Sequence, residues 1–357
     1  MSNIFEYKDS VAFHPGYYLK EIVDESGITQ EEFAKRLDTT PKNLSCLIRG
    51  EQSVSVDMAI KLARMLGTTP NYWLNLQNAF DVKIAEFESE GMIDEEKEVL
   101  RCIGYKYFRE HFGLPDLERK TTEQIRYLRR FLKVATLTVF KKSDLAVSFR
   151  CNTHAMAEKN IIRANVMVQI AMNEALGTAS ERFDKKKLQE AIQISLEQTR
   201  NHEGFYPIVR EAFLKAGVIF SVVPNLPGSQ LNGATKKIGN RVMLMVSDRR
   251  RFSDTFWFTL FHEIGHILND DYGVSFEEET GDKEELANKY AADTLINPTQ
   301  YQEFVSLNRF SIESIRKFAD QINRDPGIVL GRLQNDGYVS QKEWQLSKML
   351  KHKYEVI

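Results

Sequence analysis

The stretch "TLFHEIGHIL", residues 259–268, carries two histidines and a glutamate inside a run of apolar side chains. From Ser253 onward Phe256, Trp257, Phe258, Leu260, Phe261, Ile264, Ile267 and Leu268 occupy nearly the whole helical wheel. That pattern predicts a helix buried on most sides. An unpaired charge is costly in such a place, so ionisable groups there need a purpose. His262 and His266 stand at i and i+4 and leave the helix on one face, a turn apart. Two neutral imidazoles at this spacing can hold one Zn²⁺, and the carboxylate of Glu263 stands where a base for water is needed.

Working outward, Gly265 costs the helix about 1 kcal/mol relative to alanine, which suits a position that something else approaches closely. Catalytic zinc takes three protein ligands, and only His352 follows His266 among the histidines, so the third ligand is expected to be a carboxylate. Glu284 shares a helical face with Ala287, Asn288, Ala291 and Leu295, whereas Glu285 lies with Lys289 on the face expected to meet solvent. Phase favours Glu284 and leaves Glu285 as the alternative.

The 357 residues are too many for one small domain. Apolar content of 42% with 27% charged residues is an ordinary globular balance. Net charge of −2 gives no global nucleic-acid signature, so DNA contact would have to come from a local patch. Cys46, Cys102 and Cys151 are far apart and form no CxxC pair, as expected of reduced thiols in a cytoplasmic protein. No signal-like N-terminus and no apolar run near 18 residues is present, so neither export nor a membrane span is expected.

Residues 1–90 contain successive short helical patterns. "TQEEFAKRL" opens with Thr29 and has Glu32 three residues later, a capping box, and turns Phe33, Ala34 and Leu37 inward. "DTTPKNLSCLIRG" restarts a helix with Pro41 at an early position and stops at Gly50. Ser55 and Gly67 bound a further helix, and another follows from "TPNYWLNLQ". Two short helices joined by a tight turn in a five-helix unit suggest a helix-turn-helix. Thr40, Lys42, Asn43 and Ser45 would then face the major groove, Gln30 a phosphate, and Arg49, with Lys35 and Arg36, the flanking backbone. Acids outnumber bases across this segment, which favours a plain helical bundle instead.

Residues 95–203 read as a helical connector with one strand-like piece, "LAVSFR", and with His111, His154 and His202 as surface or packing residues. From Gly204 the texture changes. "AGVIFSVVPNLPG" reads as a strand, and "KKIGNRVMLMVS" places a Gly-Asn turn inside a hairpin. A small α+β unit over 204–340 follows, with 341–357 as a C-terminal tail. The fold class expected is multidomain and mainly α, an N-terminal five-helix bundle joined to an α+β domain.

Two resemblances sharpen this. Residues 14–77, through "HPG", "TQEEFAKRL", "LIRGEQSVS" and "YWLNLQ", resemble the xenobiotic-response-element helix-turn-helix in its HigA-antitoxin form. That implies a homodimer on a double-stranded DNA operator, and makes His14 part of an N-terminal turn rather than a ligand. "FWFTLFHEIGHIL", "EELANKYAADTLINP", "NLPGSQLNGAT" and "DPGIVLGRLQNDG" are similar to the ImmA/IrrE metallopeptidases across roughly residues 205–340. The resemblance implies a zincin-like domain with His262, His266 and Glu284 as zinc ligands and Glu263 as catalytic base. Two departures stand out: Leu286 replaces an acid often found before "AN", and Asp325 replaces a histidine often found before "PGIV". The activity implied is zinc-dependent hydrolysis of a peptide bond in a protein, such as a repressor or a toxin partner, under stress-response or phage-defence control. The substrate is expected to pair with a sheet edge near Leu231–Ala234, with Tyr290 or Tyr272 as candidate oxyanion donors. A second reading keeps the DNA-binding half and makes the zincin fold a non-proteolytic sensor or toxin-binding scaffold of an antitoxin-like autorepressor.

Overall fold

The computed structural model describes residues 3–7, 10–142, 157–249, 251–276 and 281–355, with side chains omitted for residues 7, 10 and 90–92. The strand-like "LAVSFR", Cys151 and His154 lie outside the described residues. The chain divides into two compact units, Met1–Glu95 and Glu96–Ile357. Among the described residues no helix is long and apolar enough to cross a membrane.

The first unit opens with a short antiparallel pair that the sequence reading did not anticipate, β1 (Ile4–Tyr7) with β2 (Ser10–Phe13). Five helices follow: α1 (Pro15–Glu25), α2 (Gln30–Arg36), α3 (Pro41–Ile48), α4 (Val56–Leu66) and α5 (Pro70–Ile103), the last ending in the second unit. Capping fixes the starts. The hydroxyls of Thr29, Thr40 and Ser55 accept the backbone N–H of Glu32, Asn43 and Met58 at 3.2, 3.1 and 3.2 Å. His14 caps α1 through Nδ1, which accepts the Gly16 N–H at 2.9 Å, so it serves the N-terminal turn. Leu19, Phe33, Leu37, Leu44, Leu47 and Trp73 form the core. Leu44 and Leu47 are the inward side of α3, and each such burial stabilises by about 1.5–3 kcal/mol. Gly16 is required where α1 meets α3, because a Cβ there would stand 1.9 Å from the Leu47 carbonyl oxygen.

The second unit contains α6 (Tyr105–Phe112), α7 (Thr121–Leu132), α8 (Glu158–Gly177), α9 (Lys185–Glu197) and α10 (Phe205–Lys215) before its sheet begins. Strands β3 (Val218–Val223), β4 (Leu231–Ile238), β5 (Arg241–Ser247) and β6 (Gly273–Phe276) lie in the order β3-β5-β4-β6. β3 runs parallel to β5, whereas β4 is antiparallel to both of its neighbours. The Gly239–Asn240 turn joins β4 to β5, and Gly239 takes the left-handed φ of 59° that glycine tolerates. Helices α11 (Ser253–Leu268), α12 (Asp282–Leu295), α13 (Pro298–Ser306), α14 (Ile312–Gln321), α15 (Pro326–Asn335) and α16 (Trp344–Leu350) complete the unit.

One apolar core joins β3 and β5 to the helices α9 to α16, from Leu188 and Phe205 through Phe220, Leu244, Trp257 and Leu330 to Tyr354. The sequence boundary at 203/204 falls inside this unit: α8 packs on β3 and β5, and α9 packs on α10. The segment after 340 contributes Leu350 and Tyr354 to the core. One expectation is corrected. β4 is no sheet edge, because Leu231, Gly233 and Ala234 pair with Phe276, Ser275 and Val274 of β6 while β5 occupies its other side. The four-residue β6 is too short to show a period of two, so its covering of β4 was not visible in the sequence.

Candidate metal centre

α11 is buried on nearly every side. It packs on β4 and β5 on one flank and on α12 and α15 on others. Gly265 permits the closest of these approaches: a Cβ there would lie 3.2 Å from Ala287 Cα and 3.1 Å from the Tyr290 ring. The α11–α12 contact therefore brings Glu284 opposite the histidine face. His262, His266 and Glu284 are all buried, and their ligand atoms converge. His262 Nε2 and His266 Nε2 are 3.0 Å apart. Glu284 Oε2 lies 3.1 Å from the first, and Oε1 lies 3.3 Å from the second. Glu285, the alternative from sequence, is exposed.

The outer partners decide what these atoms can do. His262 Nδ1 is 2.9 Å from Asn288 Oδ1, and His266 Nδ1 is 2.9 Å from Asp271 Oδ2. A ring nitrogen facing an acceptor oxygen carries the proton, so in both neutral imidazoles Nε2 presents a lone pair. With both rings neutral, two lone pairs and a carboxylate oxygen converge, whereas a protonated ring donates from Nε2 to Glu284. A cation resolves that arrangement. A tetrahedral zinc with bonds of about 2.0–2.1 Å needs ligand atoms about 3.3 Å apart, close to the observed separations. The donor set therefore fits zinc, and Asn288 and Asp271 supply the outer hydrogen bonds such a site uses. Lys283 Nζ, 2.8 Å from Asp271 Oδ1, fixes the second of them in turn.

Electrostatics agree. Burial opposes charge on His262, yet its hydrogen bond to Glu284 and the nearby Glu263 and Glu284 charges outweigh that and raise its pKa. Burial would likewise raise Glu284, but hydrogen bonds from both imidazoles hold its carboxyl far below the usual range. Glu284 stays ionised. Glu263 is fully buried against β4, where a Cβ on Gly233 would fall 2.5 Å from its Oε1. Glycine at 233 is what leaves room for this carboxylate.

A cleft of about 380 Å³ opens at the centre, lined among others by Asn232, Thr259, His262, Glu284, Asn288 and Tyr354. The phenol in this wall is Tyr354, which the sequence reading passed over. Tyr290 instead packs beside Gly265, and the Tyr272 hydroxyl donates to Asp270 Oδ1 at 3.4 Å. Asp271, Asn288 and Gly233 were missed as well. Only the "AN" pair and the glycine itself hinted at the last two, which act across tertiary contacts, while Asp271 lies just past the end of α11. Asp325, where the metallopeptidase pattern often has histidine, caps α15 by accepting the Gly327 N–H at 2.8 Å. Its Oδ2 is also 2.7 Å from His202 Nε2 and 2.8 Å from His352 Nδ1.

In the first unit, Lys42 projects into solvent from the first turn of α3, beside Thr40 at the cap. Other named residues are held by the protein itself. Asn43 Nδ2 donates to Thr39 Oγ1 at 2.9 Å, Arg49 donates to Ser45 Oγ, and Arg49 grips both oxygens of Glu51 at 2.8 Å. Gln30 is half-buried at the start of α2. Lys35 and Arg36 pair with Glu31 and Glu32, each at 3.1 Å.

The helix-turn-helix family model matches residues 19–73. An uncharacterized HTH-type transcriptional regulator of Escherichia coli K12, YddM, is 39% identical over 72 residues, 20% of this chain and 77% of that protein. Antitoxin HigA-1 of Vibrio cholerae is 39% identical over 62 residues, 17% of this chain and 58% of its own length. The solved structure of an addiction module antidote protein of a HigA family from Coxiella burnetii is 34% identical, with 23% of this chain and 91% of that one covered and a TM-score of 0.22.

Proposed function

The chain belongs, through its N-terminal unit, to the helix-turn-helix family of DNA-binding transcriptional regulators, and we propose that its second unit is a zinc-dependent endopeptidase acting on a protein partner. The observation that carries the proposal is the convergence of His262 Nε2, His266 Nε2 and Glu284 within 3.0–3.3 Å, with the buried Glu263 next in the chain. A purely structural zinc site has no need of a base beside it. Zinc, if held there by His262, His266 and Glu284, would supply Lewis acidity toward a carbonyl and toward water.

The protein's own part is then specific. Asn288 and Asp271 orient the two imidazoles. Glu263, wedged against Gly233, takes a proton from water and returns it to the departing amine. β6, at the open edge of the sheet, offers the backbone to which an extended chain would pair. Lys42, Thr40 and Gln30 contact the operator, with Asn43, Ser45 and Arg49 reaching it once their internal bonds exchange. The likeness to antitoxin HigA-1 supports a toxin as the protein partner.

The test compares protein termini by mass spectrometry in cells carrying the wild type or Glu263→Gln. New termini that appear only with the wild type support the proposal and identify the substrate. Identical termini, with promoter repression unchanged, favour the antitoxin-like scaffold instead.

A further inference from the structure

We propose that the peptidase selects a substrate with a large apolar side chain beside the bond it cuts, lodged in a cavity that continues the metal cleft. This deepens the peptidase reading and rests on it. The cavity, of about 490 Å³, is lined from α11, α12 and α15 and shares Thr255, Phe258, Asn288 and Asn335 with the cleft. Its near wall starts at the metal centre. Asn288 is the residue that holds His262 Nδ1 at 2.9 Å, and the Phe258 ring centre lies 6.5 Å from that of His262, one helical turn back along α11. A substrate residue next to the scissile bond is therefore within a side chain's length of this space.

The base of the cavity is apolar. Leu295, Ile296 and Ile328 are buried in it, and Ala292 adds only a methyl group. Gly331 sets the third wall: a Cβ there would stand 3.1 Å from Asp254 Oδ2, so glycine lets α15 approach α11 this closely. The volume, and the apolar base under a polar mouth, match ligand pockets in general, which run to about 300–1,000 Å³.

The charges of the wall decide the class of side chain. Both acids are matched within it: Asp254 pairs with Lys351 at 2.7 Å, and Asp336 with Arg332 at 2.7 Å. The Arg332 guanidinium also lies 5.1 Å from the Tyr301 ring centre. Lys289, the remaining cation of the wall, is exposed, where water and salt screen it. A charged side chain entering here would give up water without meeting a free buried counter-charge of the wall. An apolar one gains in proportion to the area it buries.

The experiment captures a randomised decapeptide library on zinc-loaded, full-length Glu263→Gln protein and reads bound peptides by mass spectrometry. Phe, Tyr, Trp, Leu and Met are expected to be enriched about five- to tenfold at one register. Ala292→Phe, added to Glu263→Gln, fills the cavity and should remove that enrichment. Lys289→Glu is the second variant, at an exposed position, for the case in which Ala292→Phe impairs folding. It turns the mouth acidic, so Lys and Arg should join the enriched set at the same register. No apolar enrichment, or enrichment that neither variant alters, overturns the inference. Cleavage of the same library by wild type separates the two claims. Cleavage without apolar preference sinks the selectivity and leaves the peptidase standing. Apolar binding that responds to the variants, with no cleavage, sinks the peptidase and leaves the binding site.

Discussion

His262 and His266 bring their Nε2 atoms within 3.0 Å while each Nδ1 faces an acceptor oxygen of another residue. While both rings are neutral, neither can donate toward the other without breaking its outer hydrogen bond. We propose that the pair shares a cation.

It follows that the outer residues control affinity. Asp271→Ala and Asn288→Ala should each weaken zinc binding by about 10- to 100-fold, although neither is a ligand. Competition against a chelator of known affinity measures this. Asp271→Ala is expected to be the more harmful, because it also releases Lys283.

Gly233→Ala tests the seat of the base. Its methyl group would stand 2.5 Å from Glu263 Oε1, so the carboxylate or β4 must move. Thermal unfolding should show a loss of about 1–3 kcal/mol. Zinc content should remain while cleavage falls about 100-fold or more, since a displaced base loses its geometry. A fall in zinc content to match would place Gly233 in support of the ligands instead.

The pH response differs between the metal-free and loaded forms. Glu284 is depressed below its ordinary 4.5, so its contribution to stability is present above that value and is lost as pH falls toward the folded-state pKa. His262 is raised above 6.5, so its contribution is complete below 6.5 and is lost as pH rises through the folded-state pKa. Metal-free protein should therefore gain most from this pair between pH 4.5 and 6.5. Zinc requires deprotonated imidazoles, and its stabilisation should grow above that window. Melting curves of both forms from pH 4 to 9 would show the crossing, and parallel profiles would contradict it.

In the first unit, Lys42→Ala should weaken operator binding uniformly and lower the salt slope by about 1. Glu51→Ala should have the opposite effect. Arg49 holds the Glu51 carboxyl down at about 2 by hydrogen bonding, so the pair stays intact at working pH and competes with phosphate. Fluorescence anisotropy over a salt series distinguishes the two, and a loss of affinity in Glu51→Ala would remove Arg49 from the interface.

What the sequence disclosed was local. The Thr40–Pro41 start of α3, its Leu44–Leu47 face and the all-round apolar α11 each depend on spacing within one helix, and helical phase alone separated Glu284 from Glu285. Gly265 in a helix interior announced a close neighbour, although not that the neighbour would be Ala287 and Tyr290. Contacts between distant segments left no such mark. Gly233 on β4 meets Glu263 on α11, Asn288 on α12 meets His262, and Tyr354 enters the cleft from a segment read as a tail. β1, β2 and β6 have four residues each, too few for alternation to be distinguished from chance.

Zinc content by mass spectrometry, measured on reconstituted wild type, Glu263→Gln and Glu284→Ala, decides whether His262, His266 and Glu284 hold a metal. About one zinc ion per chain is expected in the first two and close to none in the third. No zinc in the wild type, or zinc undiminished in Glu284→Ala, would contradict it.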